Sequence, residues 1–179
     1  LGLIGLVAVQ LLWANGCRVV GVDLKPERLA LAEQFGARVV DVSAGRDPVA
    51  EVLKLTDGIG ADGVLITASA KTDAIVHQSA QACRKRGRIV LVGVVGLNLS
   101  RADFYEKELS FQVSCSYGPG RYDGLYEQRG QDYPLGRVRW TEQRNFQAFL
   151  GAVADRSVDL GPLITHRYPL ADAVAAYGT

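Results

Sequence analysis

The chain has 179 residues, enough for one domain with a sizeable core. Hydrophobic residues make up 48% and charged residues 22%, with a formal net charge of +1, so nothing points to nucleic acid or an anionic membrane as a bulk partner. No apolar run approaches the roughly 18 residues of a membrane span, and three scattered cysteines, Cys17, Cys83 and Cys115, fit buried thiols in a reducing, cytoplasmic compartment better than a disulfide framework or a zinc site.

The chain opens on Gly2-Leu3-Ile4-Gly5 and runs into an apolar stretch. Residues 3–15 predict a helix that is hydrophobic nearly all round, hence buried against a sheet, and ended by Gly16. Residues 18–23 are a short β-branched run closing on Asp23, the pattern of a buried parallel strand. Together these resemble the back end of a G-x-G-x-x-G turn, with Gly2 and Gly5 as its second and third glycines. A glycine at position 2 lets a pyrophosphate approach the backbone, and the helix behind it aims unsatisfied N–H groups and a positive dipole end at the phosphates. Asp23 falls 18 residues after Gly5, where a carboxylate accepts both hydroxyls of an adenosine ribose and repels a 2′-phosphate. That favours NAD over NADP, a preference softened by the nearby Lys25 and Arg28. The strand that should precede the turn lies outside the chain, so a doubly wound sheet built here would carry a gap lined by apolar side chains and unpaired backbone.

Pro26 starts a second helix that exits at Gly36, residues 38–42 form a strand, and Asp47-Pro48 opens a third helix. Residues 63–67 read as a strand, 72–84 as a helix and 89–92 as a strand that leaves through a glycine-rich loop from Gly93 to Gly96. Residues 101–107 form a short helix and 109–116 a further strand, the edge strand expected to pair in a homodimer. Strand and helix alternate at parallel-sheet spacing, which defines an α/β, Rossmann-type doubly wound parallel sheet lacking its first strand. Residues 117–140 break the rhythm with four of the seven tyrosines, five glycines, two prolines and four arginines. A loop of that length is a lid, a binding loop or a surface loop whose tyrosines pack on the domain. Residues 141–155 then predict an amphipathic helix capped by Thr141, with Phe146, Phe149, Leu150 and Val153 on its apolar side. Residues 163–168 read as a last strand or extended piece, and a final helix begins at residue 170.

Outside the turn the chemistry is sparse. His77 and His166 read as structural histidines, and no serine, histidine and acid are spaced as a triad. Arg84, Lys85, Arg86 and Arg88 read as a solvated helix end. Arg121 and Arg139 suit an anionic substrate group, and salt bridges to Asp123 or Glu142 explain them equally well.

The opening residues 2–10, the strand ending in Val22-Asp23, Glu27-Arg28-Leu29-Ala30, residues 87–93 and Pro169-Leu170-Ala171-Asp172-Ala173 resemble the cofactor domain of medium-chain, zinc-type alcohol dehydrogenases. Residues 114–123, 139–142 and 163–167 resemble a narrower branch, in which such a dehydrogenase is fused to an oxidoreductase of the glucose–fructose oxidoreductase and inositol dehydrogenase type. The resemblance implies that Gly2, Leu3, Ile4 and Gly5 hold the pyrophosphate and that Asp23, with Leu24 beside it, holds the ribose. It places Arg28 along the adenine and Thr67, Ala68 and Ser69 under the adenosine half. Gly93 and Val94 would present backbone groups to the nicotinamide, with Ser116 and Tyr117 closing the same region. It implies NAD as cofactor, an alcohol, polyol or sugar as substrate, and zinc only through a GroES-like catalytic domain that these residues do not contain. Residues 1–179 would then be a single cofactor-binding domain of a longer protein. A dinucleotide-binding module without catalysis of its own and a zinc-free quinone-reductase-like enzyme fit the same residues.

Overall fold

A computed structural model describes residues 1–178. Helix α1 (Leu3–Ala14) leads to β1 (Val20–Asp23), α2 (Pro26–Gln34) and β2 (Arg38–Asp41), and β1 pairs parallel with β2 from Val20–Arg38 to Asp23–Asp41. Helix α3 (Pro48–Leu55) starts where the sequence says, with Asp47 accepting from the Val49 N–H at 2.9 Å. Then come β3 (Ala61–Ile66), α4 (Ala74–Ala82), β4 (Cys83–Leu91), α5 (Arg101–Tyr105) and β5 (Ser110–Val113), which form a second parallel sheet in the order β3-β4-β5. The remainder is α6 (Gly124–Glu127), α7 (Glu142–Ala154), two 3-10 turns at Gly161–Leu163 and Leu170–Asp172, and α8 (Ala173–Ala176).

The expected gap is visible as two sheets with two cores. Leu6, Val9, Ala32 and Ala37 are buried over the first sheet, and Ile66, Val76, Ala80, Cys83, Ile89, Leu91 and Val95 over the second. The sheets lie side by side: a Cβ on Gly5, at the start of α1, would stand 2.9 Å from Thr67 Oγ1 at the end of β3. On the strands flanking the divide, Val22 and Leu65 stay 37% and 43% exposed, although a parallel strand inside a complete sheet is covered on both faces.

The split also corrects the reading of α1. Only Gly5, Leu6, Val9 and Gln10 are buried, whereas Leu3, Ile4 and Trp13 are exposed, because a divided sheet offers the helix one packing face. Gln10 holds the C-terminal segment instead. Its amide donates to the Asp159 carbonyl at 3.0 Å and accepts from the Asp159 N–H at 2.6 Å, while Leu163 packs into the first core. Gln10→Leu keeps the volume and removes both bonds, so it should cost about 2 kcal/mol. The thermal midpoint should fall by roughly 4–8 °C for a domain of this size; an unchanged midpoint would mean the clamp contributes nothing.

Other boundaries moved for local reasons. The helix expected over 72–84 stops at Ala82, where the Lys107 ammonium donates to the carbonyls of Ala80, Gln81 and Cys83 at 2.7–3.0 Å and closes the helix end. The strand therefore begins at Cys83 rather than at residue 89. The four basic residues expected on a helix end lie on β4, where Arg84 pairs with Asp62 and Arg86 with Glu108, and Arg88 donates to Gln112. The edge strand expected over 109–116 is reduced to Ser110–Val113. The expected strand over 163–168 does not form: Pro162, with its fixed φ, sits in a 3-10 turn and the chain beyond it is irregular up to residue 169. Helix α7 has no buried residue, and Phe146 and Leu150 are 49% and 65% exposed. Of the cysteines only Cys83 is buried, contrary to expectation for Cys17 and Cys115.

The 117–140 loop is folded rather than loose. Tyr126 and Tyr133 stack at 5.8 Å, the Tyr133 hydroxyl donates to Asp123, and Arg144 of α7 reaches Asp132 and the carbonyls of Tyr133 and Val138. The first turn of α7 donates into this loop, Glu142 N–H to the Pro119 carbonyl and Gln143 N–H to the Tyr126 hydroxyl. Thr141 occupies the cap position without capping, its buried hydroxyl lacking a partner, because the loop has taken those N–H groups. Tyr117 and Tyr122 stay 53% and 75% exposed.

Candidate functional site

The carboxyl ends of β1, β3 and β4 and the amino end of α1 bring most of the sequence-predicted residues together. Helix α1 begins after Gly2, which has no side-chain cap, no acidic residue in the following turn and nothing within 4 Å of where a Cβ would project. The first N–H groups of a helix have no acceptor within it, so this end is open to an anion. Gly5 abuts Thr67 at the end of β3, a closeness that a larger residue would break.

Asp23 ends β1 beside this turn. Its Oδ1 accepts the N–H groups of Leu24 and Lys25 at 2.8 and 2.9 Å, and its Oδ2 accepts the ammonium of Leu1, the residue before Gly2. Burial works against the charged carboxylate, but those bonds outweigh it and hold the carboxyl below the ordinary range. Arg28 stands 3.7 Å from Oδ2, at the rim. The carboxylate is therefore fixed, ionised and 9% exposed, while Leu24 is 63% exposed.

The loops that leave β3 and β4 are laced to each other. Val92 and Gly93 N–H groups both donate to the Ile66 carbonyl, Val94 N–H to Ala68 and Ala70 N–H to the Val94 carbonyl, with Ser69 and Val94 bridged in parallel. A Cβ on Gly93 would lie 2.0 Å from the Ala68 carbonyl oxygen, so only glycine admits this approach. Val94 remains 73% exposed at the lip. Ser116 and Tyr117 do not join these bonds. Tyr117, at φ 63°, accepts at its carbonyl from the Asn145 side-chain amide of α7 at 2.8 Å and sets its ring against Phe146 at 5.6 Å.

Two residues that sequence reasoning passed over belong to the same lacing. The Asp73 Oδ1 accepts the Asn98 N–H at 2.9 Å, and Gly96 donates to the Thr72 carbonyl at 3.0 Å. The available signal was a surplus. Thr72 and Asp73 are both good helix caps; Thr72 caps Ala74 at 3.1 Å, which leaves the aspartate free for another bond.

The remaining candidates have local partners. His77 bonds Asp103 through Nδ1 at 2.8 Å and Gln81 through Nε2 at 2.9 Å, and His166 bonds Thr165. Arg121 pairs with Glu127, not with Asp123, and Arg139 stacks on Trp140 at 4.8 Å. Among the described residues no three His, Cys, Asp or Glu side chains are grouped to hold a metal ion, so the donor set here does not fit zinc. No described helix is long and apolar enough to cross a membrane.

Parallel strands with intervening helices, and a bare glycine turn facing an acid at the tip of the next strand, define a Rossmann-type nucleotide-binding fold. Residues 4–128 match the zinc-binding dehydrogenase family, and the chain belongs to that family. An NAD-dependent alcohol dehydrogenase of Sulfurisphaera tokodaii is 33% identical over 99 residues, 55% of this chain and 28% of that protein. Alcohol dehydrogenase TADH from Thermus sp. ATN1 superposes with a TM-score of 0.73 at 22% identity, over 99% of this chain and 45% of its own. A quinone oxidoreductase of Pseudomonas syringae pv. tomato DC3000 superposes with a TM-score of 0.65 at 23% identity, over 98% and 49%. The chain thus spans under a third of that curated relative and about half of these solved structures. Nothing in these matches bears on a fused second oxidoreductase.

Proposed function

We propose that residues 1–179 form the cofactor-binding domain of an NAD-dependent medium-chain dehydrogenase acting on an alcohol, polyol or sugar. The observation that carries this reading is the Asp23 carboxylate, ionised and held by two backbone N–H groups beside the uncapped start of α1. Gly2, Leu3, Ile4 and Gly5 receive the pyrophosphate through backbone N–H groups, and Asp23, with Leu24 beside it, accepts the ribose hydroxyls. Arg28 flanks the adenine, and Thr67, Ala68 and Ser69 line the passage from adenosine to nicotinamide. Gly93 and Val94 offer backbone carbonyls to the carboxamide, their N–H groups being bonded to Ile66 and Ala68, and Ser116 and Tyr117 border the same end. NAD supplies the hydride acceptor, and these residues bind and orient it. Because the zinc donors are not in this set, no role of the metal is derived from these residues.

A quinone-reductase-like enzyme using NADPH is the second reading, supported by Arg28 at the rim of Asp23, where a guanidinium suits a 2′-phosphate, and by the likeness to the Pseudomonas fold. A non-catalytic dinucleotide-binding module is a third, which the same glycine turn and Asp23 carboxylate would serve. Pairing of two copies along the free edge of β5 and a cytoplasmic setting complete the proposal. Titration of the purified chain with NADH and NADPH, followed by cofactor fluorescence, tests it. Saturable binding with NADH tighter is expected; tighter NADPH binding favours the second reading, and no binding at about millimolar cofactor, the weak end of the affinity scale, sinks all three.

A further inference from the structure

Asp73 holds the cap position just before α4, yet its side chain makes no bond to that helix. Thr72 takes that task, and the aspartate turns instead to the Asn98 N–H, on the loop that leaves β4. The same loop carries Gly93 and Val94, already bonded to the Ile66 and Ala68 carbonyls. Its middle is drawn in by Gly96, where a Cβ would fall 2.3 Å from Asp73 Oδ1 and 3.0 Å from the Thr72 carbonyl carbon. Its far end is tied to α4 again, since His77 bonds Asp103 of α5 at 2.8 Å. The loop is thereby anchored at its start, middle and end: in its middle Val95 is buried in the second core and the Gly96 N–H donates to the Thr72 carbonyl, and beyond them the Asp73 carboxylate holds Asn98.

We infer that Asp73 is a positioning residue for the nicotinamide half of the site: by accepting from Asn98 it holds the loop from Gly93 to Ser100 at the distance at which Gly93 and Val94 present their backbone carbonyls. The inference rests on the proposed cofactor reading and adds to it a residue that does not touch the cofactor. It separates the two halves of the site, because the pyrophosphate turn and Asp23 lie on α1 and β1, whereas Asp73 acts only on loops of the second sheet.

The test compares NADH with ADP-ribose, which lacks the nicotinamide, by calorimetric titration of the purified chain. Asp73→Ala should weaken NADH about fivefold, the worth of one net hydrogen bond, and leave ADP-ribose unchanged. Asp73→Asn should restore NADH affinity, since an amide oxygen still accepts from Asn98. Gly96→Ala, which pushes the carboxylate away, should mimic Asp73→Ala. Equal weakening of both ligands would mean general loss of structure and overturn the inference, as would unchanged NADH binding in Asp73→Ala. A wild-type chain that binds neither ligand would sink the cofactor reading itself, an outcome distinct from failure at Asp73.

Discussion

Gly93→Ala is expected to lower the thermal midpoint by roughly 6–12 °C and to weaken NADH binding at least tenfold. The added methyl would stand 2.0 Å from the Ala68 carbonyl oxygen and 2.9 Å from the carbonyl carbons of Ala68 and Thr67. Those are backbone atoms, so no side chain can swing aside; the two loops must part. Parting them breaks the bond from Val94 N–H to Ala68 and the bridge between Ser69 and Val94. Forcing a methyl into such a contact costs about 3 kcal/mol, which sets the shift in midpoint for a domain of this size. The effect on binding exceeds that of Asp73→Ala because Gly93 is at the root of the loop and Asp73 holds only its middle. Calorimetric melting and NADH titration measure both. A variant that melts like the wild type would show that the loops are not in contact in solution.

Asp23→Asn should weaken NADH about 10- to 100-fold and narrow the margin over NADPH. The side chain keeps its shape and can still accept from Leu24 and Lys25, losing only the bond to the Leu1 ammonium, so the fold should tolerate it. What is lost is the charge that strengthens hydrogen bonds to the ribose hydroxyls, worth about 1.5–3 kcal/mol. Lost too is the repulsion of a 2′-phosphate. An unchanged ratio of NADH to NADPH affinity would remove Asp23 from its assigned place. The wild-type carboxyl adds a pH dependence of defined sign. Its folded pKa lies below the ordinary value, so its stabilising contribution is full above the unfolded pKa of about 3.9. That contribution fades as pH falls through the lower folded value. Affinity for ADP-ribose should therefore be flat from about pH 8 down to 5 as far as this group is concerned. A decline centred near neutrality would assign the titration elsewhere.

The local signals of the site were legible because they are chemical. Gly2, Gly5 and Asp23 stand out by residue type and order, and the helix starts at Pro26 and Asp47-Pro48 are spelled out in a few neighbouring residues. The alternation that defines a parallel α/β fold needs no more than the period of hydrophobic residues and the glycines between runs.

What the tertiary structure decided were features that depend on partners distant in sequence. That α1 leaves Leu3, Ile4 and Trp13 exposed depends on how much sheet lies beneath it, not on its own composition. The end of α4 is set by Lys107, 25 residues beyond Ala82, and the cap of α7 was displaced by a loop that folds back on it. Residues 163–168 have strand-like composition, but Leu163 is committed to the core under α1 and Pro162 to a turn. Asp73 and Gly96 looked ordinary because a spare acceptor acquires meaning only when another segment brings it a donor. Sequence by itself determined which residues can cap, turn, alternate and carry charge; the fold decided which of them meet, since a hydrogen bond or a packed face belongs to two segments at once and only their approach in space creates it.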